Sequence, residues 1–566
     1  MRLLPWAARP LAATLVLLAP LPLAAGQTLT AQAPQAQSPR ISAAQTQVTL
    51  EPTGPVKRLT LNEAVQLALE QNINIQVERM NSQIQGENVD LALAVFVPEL
   101  TSDLRYNSTD SPPDSFFSGA EDTLETSFLT GTAGVQQQLP WWGASYFLGW
   151  DATRSTTNNI YSNFNPRLNS NLSVSYLQPL LRNFKTDSAR TQLVVSKRNR
   201  DISDIDLRTI VVQTVRNVKN AYWELKYAIA NLDVQRQSLE LAQQTLKDNR
   251  TRVEVGTMAP IDIVEAEAEV ARNEEAVIIA EASIKQAEDN LRTIIFDPAS
   301  AGFWQMVLEP IDAPEMDPRT VDLDEAVRNA LEQRTDVRRA KESLDNVDSN
   351  LEFYRNQTLP QLNLQVDYGA TGLGGTQFVR GGEGFPPPII GEASRSFWDV
   401  QGDVFTASFP GWTIGAYFAY PLGKGSADAI YARTKLEQNQ ALLQLKNLEL
   451  QVGTEVRDVA RNLNTNTKRV DATRASRVLS ERRLEAEQKK FGVGMSTSFL
   501  VFQAQRDLST ARANELRAIL DLNQSLADFE AVQEAALSGR GITISSGGGA
   551  LATSAGATIA TGLRQR

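Results

Sequence analysis

The stretch that decides the fold runs from Val211 to Ile295: VVQTVRNVKNAYWELKYAIANLDVQRQSLELAQQTLKDNRTRVEVGTMAPIDIVEAEAEVARNEEAVIIAEASIKQAEDNLRTII. Apolar residues recur in it at alternating steps of three and four, the spacing of a coiled-coil seam. Gly256, which accepts the positive φ that ends a helix, and Pro260, which suits a first helical turn, interrupt the pattern. The stretch therefore predicts two long antiparallel helices around a break. At ~1.5 Å per residue, an arm beginning at Ser188 reaches roughly 95 Å.

The sequence contains an internal duplication. Residues 59–71, LTLNEAVQLALEQ, return at 321–333 as VDLDEAVRNALEQ, and the same offset aligns Tyr106 with Tyr368. The helix break also returns, because Val255-Gly256-Thr257 matches Val493-Gly494-Met495. We therefore predict two structural repeats, 59–296 and 321–538, each with a helix, extended segments and a long helical hairpin. The proline-rich residues 297–320 link them.

Four segments alternate apolar and polar residues, as half-buried β-strands do. They lie at 100–106, 172–177, 362–368 and 414–420. Prolines that stop a helix from continuing into a strand mark the helix–strand junctions: Pro98, Pro179, Pro360 and Pro421. A soluble sheet would show the same alternation. Tyr and Trp residues crowd into the strands and beside them, which favours a lipid-facing barrel.

The spans between these strands are less clear from the sequence. Residues 110–125 and 369–408 are polar or glycine-rich, and we predict long loops there. Residues 132–151 carry an additional hairpin-like pattern that the second half lacks. The pattern does not decide whether this hairpin joins the barrel.

Composition excludes several functions. The 566 residues are 42% hydrophobic and 21% charged, which describes an ordinary folded protein. There is no cysteine and no histidine, so Cys/His zinc sites, thiol nucleophiles and histidine bases are absent. The net charge of -11 and the lack of a basic run argue against nucleic-acid binding. We predict no enzyme, no metal and no cofactor.

The two termini differ from the rest of the chain. Residues 1–27 combine Arg2 and Arg9 with a short apolar run and small residues at 24–26, which predicts a secretory signal peptide. Residues 28–58 are rich in Gln, Ala, Thr and Pro, and residues 539–566 in Gly, Ala, Ser and Thr. We predict a flexible leader and a disordered tail, respectively. Without cysteine, an N-terminal lipid anchor on that residue is excluded.

From 59 to 536 the chain resembles the TolC-like outer-membrane efflux proteins. The resemblance rests on the duplication, the paired Leu-Asn/Asp-Glu-Ala-Val openings, Gln178-Pro179-Leu180, Leu359-Pro360-Gln361-Leu362 and Tyr420-Pro421-Leu422. It implies an α+β fold in which long antiparallel coiled-coil helices form a trimeric periplasmic α-barrel. A small antiparallel transmembrane β-barrel is then shared by the trimer. Four strands per protomer could not close a barrel alone, since small barrels need about eight.

The resemblance also assigns roles to the helix tips. In that family the tips form the periplasmic entrance and dock a periplasmic adaptor, which selects Val255, Gly256, Thr257, Val493, Gly494 and Met495. The glycines also serve as helix C-caps. Asp262 falls where family members often carry a pore aspartate, with Glu265 one turn further on, whereas the second repeat has Leu500 and Gln503 at these positions. In a trimer Asp262 and Glu265 would form constricting rings. The alternative is that Asp262 complements the dipole of a helix N-terminus.

Three polar residues interrupt the apolar seam toward the break: Arg236, Gln243 and Arg250. Because polar seam residues weaken a coiled coil, we predict that the entrance opens in this third of the hairpin. The expected function is an outer-membrane channel, with a large periplasmic portion, for efflux of small molecules or secretion of proteins. Its expected partners are an adaptor, an inner-membrane transporter and outer-membrane lipid. The alternative is a periplasmic coiled-coil scaffold without a barrel.

Overall fold

A computed structural model describes residues 55–113, 123–299, 302–314, 316, 322–534, 542–543 and 552–553. The predicted signal peptide and most of the predicted leader lie outside the described residues. So does the predicted tail, apart from two paired two-residue strands, β10 (Ile542–Thr543) and β11 (Ala552–Thr553).

The helices reproduce the duplication in their lengths. In both repeats two shorter helices precede a hairpin of 67 and 35 residues. The first repeat contains α1 (Leu61–Gln71), α2 (Ile73–Ala94), α3 (Ser188–Glu254) and α4 (Ile261–Ile295). The second contains α5 (Leu323–Gln333), α6 (Thr335–Gln357), α8 (Ser426–Gly492) and α9 (Ser498–Val532), with a short additional helix, α7 (Phe397–Phe405), before α8.

The long helices form a single layer, with α1 packed against α3 and α4, and α5 against α8. In the half nearer the strands the packing order is α2, α3, α6 and α8, and in the half nearer the breaks it is α4, α3, α9 and α8. Side chains join neighbours across the layer, for example Ser82 to Asp204 (2.5 Å) and Gln438 to Asp348 (2.7 Å). One edge is therefore formed by α2 and α4, and the other by α8.

A seven-stranded sheet continues the layer beyond the helix ends. Its strands are β2 (Glu99–Ser111), β3 (Leu124–Gln138), β4 (Ser145–Thr157), β5 (Phe164–Pro179), β7 (Gln361–Arg380), β8 (Ile389–Arg395) and β9 (Pro410–Ala419). All of the pairings are antiparallel, in the order β2-β3-β4-β5-β7. β9 pairs with the first half of β7 and β8 with the second half. Six strands thus lie side by side near the helices.

The two faces of this sheet differ in chemistry. The pairings Trp412 with Tyr368, Val174 with Tyr368, and Leu148 with Val174 place apolar side chains on one face, here called the apolar face. The other face, here called the polar face, carries pairs such as Ser175 with Asp367, which are joined by a hydrogen bond of 2.7 Å. Period-2 alternation in each strand produces this separation.

The strands correct two sequence predictions. Residues 132–151 belong to β3 and β4, which lie within the sheet between β2 and β5, so the count of four strands per chain is too low. Residues 369–408 are not a loop, because they contain the second half of β7, then β8 and α7. The glycines at 369, 372, 374 and 375, which resemble loop sequence, lie within β7. Residues 110–125 include the ends of β2 and β3.

A second, small sheet corrects the leader and the linker. β1 (Val56–Leu59) pairs in parallel with β6 (Val307–Pro310), so residues 56–58 of the predicted leader and part of the predicted linker are ordered. The buried side chain of Tyr222, in α3, contacts both segments. Its hydroxyl lies 3.0 Å from the Leu59 carbonyl oxygen and 3.1 Å from Asp312 Oδ2. Four-residue strands are too short to show periodicity, which explains the missed prediction.

The largest buried cluster of apolar side chains lies where the small sheet meets α1, α3 and α4. Its fully buried members include Ile75, Leu225, Leu291 and Leu308. Separate clusters continue down the second hairpin toward its break. The packing is therefore densest in the middle of the helical layer and becomes thinner toward the breaks.

The predicted junction prolines lie at the strand ends that adjoin the helices. Pro98 immediately precedes β2 and Pro360 immediately precedes β7, while Pro179 is the last residue of β5 and Pro421 follows β9. A proline lacks an N–H for a helical hydrogen bond and restricts the residue before it.

Candidate functional site at the helix tips

The first tip is a glycine-terminated turn between α3 and α4. Gly256 has φ +76°, and its N–H donates to the Val253 carbonyl (2.9 Å), while the Thr257 N–H donates to the Arg252 carbonyl (2.9 Å). These bonds satisfy carbonyls that the end of a helix leaves open. The turn therefore depends on the positive φ that glycine adopts without strain. Val255 at its apex remains exposed.

The second tip repeats this geometry between α8 and α9. Gly494 has φ +77°, and its N–H donates to the Phe491 carbonyl (3.2 Å), while the Met495 N–H donates to the Lys490 carbonyl (2.8 Å). Val493 and Met495 are more than 70% exposed. The two tips thus present large apolar side chains, Val255, Val493 and Met495, that no other described part of the chain covers.

Charge and hydrogen bonding stabilise the second turn. The Glu487 carboxylate accepts from Lys490 Nζ (2.7 Å) and Ser496 Oγ (2.9 Å). The Lys490 ammonium and then the Ser496 hydroxyl hold the pKa of Glu487 below its usual value. Glu487 therefore remains ionised at neutral pH and connects the end of α8 to the turn that precedes α9.

The two tips are joined to one another. The Arg252 guanidinium lies over the Phe491 ring, 4.4 Å from its centroid, and Arg252 Nη1 donates to the Phe491 carbonyl (3.3 Å). A cation–π contact of this kind contributes about 0.5–1 kcal/mol when exposed. One residue from each hairpin therefore connects the ends of α3 and α8.

The two predicted pore acids differ in environment. Asp262 is half-buried in the first turn of α4, and its Oδ1 accepts a hydrogen bond from Ser498 Oγ of α9 (2.8 Å). Glu265, one turn later, is exposed. Within the described parts of the chain no cation lies within ion-pair distance of Glu265. Further along α4, buried Glu269 pairs with Arg272 (3.1 Å) and Arg506 (3.5 Å).

Asp262 thus has an intrachain partner as well as a place in the first turn of a helix, where its charge complements the dipole. The sequence gives no indication of Ser498 or Glu269. The contacts of Ser498 with Asp262 and of Arg506 with Glu269 form because α9 packs beside the start of α4, and no local pattern shows this packing.

The predicted entrance seam lies at the border between α3 and α4. Arg236 pairs with Glu281 (3.0 Å) and Arg250 with Glu267 (2.7 Å), and both arginines are exposed. Both pairs fit one antiparallel register, which places exposed Gln243 opposite Glu274. The seam residues therefore reach α4 from the margin of the interface.

The buried residues of α3 in this third are Ala242, Thr245 and Asn249, and they follow a different stripe. Thr245 Oγ1 accepts from Gln505 of α9 (2.9 Å), so this stripe faces α9. An α-helix turns by about 20° per heptad relative to a strict 3.5-residue repeat. The buried stripe of α3 consequently moves from α4 toward α9 along its length, which the seam prediction did not take into account.

Among the described residues, no helix of eighteen residues or more is apolar enough to cross a bilayer. No group of three or more potential metal-ligating side chains occurs among them.

Duplicated helical hairpins that end in glycine turns and continue at the other end into an antiparallel sheet are the fold of one class of outer-membrane channel. Solved structures of this class share it. CmeC of Campylobacter jejuni, an outer membrane channel, aligns with a TM-score of 0.59 at 15% identity, covering 84% of this chain and 85% of that one. The outer membrane protein VceC of Vibrio cholerae aligns with a TM-score of 0.59 at 14% identity, covering 84% and 95%.

The chain belongs to the outer membrane efflux protein family, whose model matches residues 64–295 and 326–532. The first matched range corresponds to the first structural repeat and the second range to the second repeat. The family and the α+β fold predicted from the sequence are thereby confirmed. A comparison with curated protein sequences finds no match.

Proposed function

We propose that three copies of this chain form one outer-membrane channel with a large periplasmic portion, serving as the outer component of a tripartite efflux or type I secretion system. Its cargo is small molecules, such as drugs and toxic compounds, or proteins. The observation that carries the proposal is that both the helical layer and the sheet end in uncovered edges that are apolar. The family match supports the same assignment.

The two edges of the sheet support the closure of a barrel by further copies of the chain. β2 and β9 form the two edges near the helices, and Leu104 (77% exposed) and Trp412 (73% exposed) lie on them. An exposed edge strand is a template for pairing with another chain. Six side-by-side strands per copy bring the total for a trimer to about eighteen, and barrel diameter grows roughly linearly with strand number. We therefore propose a wider barrel than four strands per copy would form.

The helical edges carry matching apolar stripes. Val77, Ile84 and Leu91 are exposed on α2, and Leu436, Leu443 and Leu450 are exposed on α8, each set at heptad spacing. The cross-layer contacts of Ser82 with Asp204, of Asp206 with Arg339, and of Arg334 with Glu455 place the two stripes at similar levels. We propose that α8 of one copy packs against α2 of the next, with Leu443 beside Ile84.

The tips support docking of a periplasmic adaptor. Val255, Val493 and Met495 are exposed apolar residues on the glycine turns, and methionine is enriched in protein–protein interfaces. The inner-membrane transporter supplies the energy, since the sequence has no phosphate-binding Gly-Lys-Ser/Thr loop. No catalytic role is proposed for the chain.

The pore acids act at the entrance in this proposal. Rings of three Asp262 and three Glu265 repel one another and attract cations, so they tune both the constriction and the ion selectivity. The Asp262–Ser498 hydrogen bond supports a closed tip, because it ties α4 to α9 within each copy.

Disulfide crosslinking tests the assembly, since the chain has no cysteine of its own. We expect Ile84→Cys with Leu443→Cys to give covalent dimers and trimers on mild oxidation of outer-membrane fractions. A matched control is Ile84→Cys with Leu479→Cys, because Leu479 is equally exposed on α8 but about 54 Å further along the helix.

Two results would contradict the proposal. Equal crosslinking by the control pair, or none by the Ile84/Leu443 pair, argues against the interface. Recovery of the unmodified chain from the soluble periplasm argues for the alternative, a coiled-coil scaffold. In that case the apolar face of the sheet would be exposed to water.

A further inference from the structure

The short helix α7 lies on the apolar face of the sheet. Val400 and Val404 are almost fully buried beneath it. A Cβ added to Gly372 would lie 2.4 Å from the Val400 carbonyl oxygen, and one added to Gly374 would lie 2.4 Å from Val400 Cγ2. Glycine at these two positions of β7 therefore allows the helix to approach the strand closely.

The polar contacts of α7 identify the face on which it lies. Gln401 Oε1 accepts from Trp150 Nε1 (2.8 Å) and Ser170 Oγ (3.3 Å). Trp150 pairs with Leu172, and Ser170 pairs with Gly372, so all of these positions belong to the apolar face. If the apolar face is turned toward lipid, as the proposed function requires, α7 lies outside the barrel wall.

The two flanks of α7 differ in chemistry. Seven residues apart, Trp398 and Phe405 share one flank and are 78% and 70% exposed. Asp399 and Asp403 share the opposite flank. Asp403 Oδ2 pairs with Arg395 Nη2 (2.7 Å), and Arg395 Nη1 donates to the Leu373 carbonyl (3.1 Å), so the acidic flank lies toward β8. The aromatic flank then lies on the side of Trp150, which pairs with Leu172 on the apolar face.

Depth along the sheet agrees with this orientation. α7 contacts β7 at residues 372–374, just beyond the paired apolar residues from 362 to 370. The apolar stretch covers nine residues of β7, and a tilted strand needs about 9–11 residues to cross the hydrocarbon core of a bilayer. An apolar band of about 25 Å, bordered by aromatic residues at the interfaces, is typical of outer-membrane barrels.

We propose that α7 is an interfacial helix that seats Trp398 and Phe405 at the boundary between the acyl chains and the headgroups of the outer leaflet. The partner is the lipid surface itself. An amphipathic helix with aromatic residues on one flank and acids on the other lies in the plane of such a boundary. Anchored to the sheet by Val400, Gln401 and Val404, it fixes the depth of the sheet in the membrane. This inference rests on the proposed channel function.

Spin labels test the proposal and separate it from the channel proposal. Trp398→Cys and Phe405→Cys are labelled in the full chain, reconstituted into phosphatidylcholine vesicles, and exposed to oxygen, which partitions into lipid, or to a water-soluble nickel chelate. We expect oxygen to relax both labels several-fold more than the chelate does. Glu392→Cys, exposed on β8, is the matched control and should show the opposite order.

A second pair of labels reports on the sheet itself. Ile414→Cys lies on the apolar face of β9 and Thr413→Cys on its polar face. If Ile414 is relaxed by oxygen and Thr413 by the chelate while positions 398 and 405 behave as Thr413 does, the helix proposal is wrong and the channel proposal stands. If Ile414 is also relaxed by the chelate, the sheet is not in lipid and both proposals fail.

Discussion

The Asp262 carboxylate accepts a hydrogen bond of 2.8 Å from the Ser498 hydroxyl, which joins the start of α4 to the start of α9 within one chain. Substituting each partner in turn separates the effect of the Asp262 charge from the effect of the hydrogen bond between α4 and α9. Asp262→Asn removes the charge and keeps an acceptor oxygen, whereas Ser498→Ala keeps the charge and removes the donor.

We expect Asp262→Asn, and more strongly Asp262→Asn with Glu265→Gln, to reduce cation preference in planar bilayers, because rings of like charge attract cations. Ser498→Ala should leave the preference unchanged and raise conductance, since one charge-assisted hydrogen bond, worth about 1.5–3 kcal/mol, is lost from each copy. Single-channel recording measures both quantities. An unchanged cation preference in the double variant would show that these acids do not line the pore.

The tip glycines are expected to be required for their backbone geometry alone. A Cβ at Gly256 or Gly494 would meet no atom within 4 Å, yet both residues have φ near +76°. Gly256→Ala and Gly494→Ala should each cost about 1–2 kcal/mol through the left-handed conformation.

Gly453, within α8, is the matched control for these two variants. A Cβ there would also meet no atom within 4 Å, but the backbone of Gly453 is helical. Gly453→Ala should stabilise by about 0.5–1 kcal/mol. Hydrogen exchange of the amides at 255–257 and 493–495 measures the effect locally. Equal protection in Gly256→Ala and the unmodified chain would argue against a strained turn.

The seam arginines are expected to control how readily the hairpin separates near its tip. Gln243→Lys adds a partner for Glu274 in the register of the Arg236–Glu281 and Arg250–Glu267 pairs, and should stabilise the hairpin by about 0.2–1 kcal/mol. Arg236→Leu with Gln243→Leu makes the margin apolar and should reduce export without reducing trimer yield.

For the double leucine variant, export of a substrate by cells and the trimer band on gels measure export and trimer yield separately. High salt should remove the stabilisation by Gln243→Lys, because exposed ion pairs are screened. Normal export by the double leucine variant would count against opening in this third of the hairpin.

Tyr222 is expected to make the folded chain sensitive to alkaline pH. Burial raises the pKa of its hydroxyl to about 12, above the ordinary value of 10. Between these two values the unfolded chain releases the proton while the folded chain keeps it. The stabilising effect is therefore complete below pH 10 and is lost as pH rises toward 12.

Tyr222→Phe should remove this part of the alkaline dependence. It should also lower stability at pH 7 by about 1–2 kcal/mol, because Leu59 and Asp312 lose their buried partner. Thermal unfolding between pH 7 and 12 measures both effects. An identical pH profile for the variant would show that another group causes the alkaline loss of stability.

Sequence reasoning succeeded where a structure depends on local chemistry. The break at Gly256 and its copy at Gly494 follow from the backbone conformation that ends a helix, and the hairpins follow from apolar spacing. It failed where the deciding partner is distant along the chain. β1 is ordered by β6, whose first residue lies 251 positions after that of β1.

The helix α7 shows a different limit. Its capping box, in which Ser396 and Asp399 exchange hydrogen bonds, is visible in the sequence as a helix start. The glycines that precede it suggested a loop instead, because Gly372 and Gly374 resemble turn residues until Val400 is placed above them. The exposure of Gln243 shows a third limit, since the rotation of the buried stripe accumulates over many turns and no short pattern shows it.

The uncovered edges have a consequence for the life of a single copy before assembly. No other described part of the chain covers Leu104 on β2 or Leu443 on α8. In the proposed assembly another copy or lipid removes them from water, so folding and association are one process and the measured stability depends on protein concentration. In that assembly a single copy carries exposed apolar surface, and is therefore prone to aggregate, until its neighbours arrive.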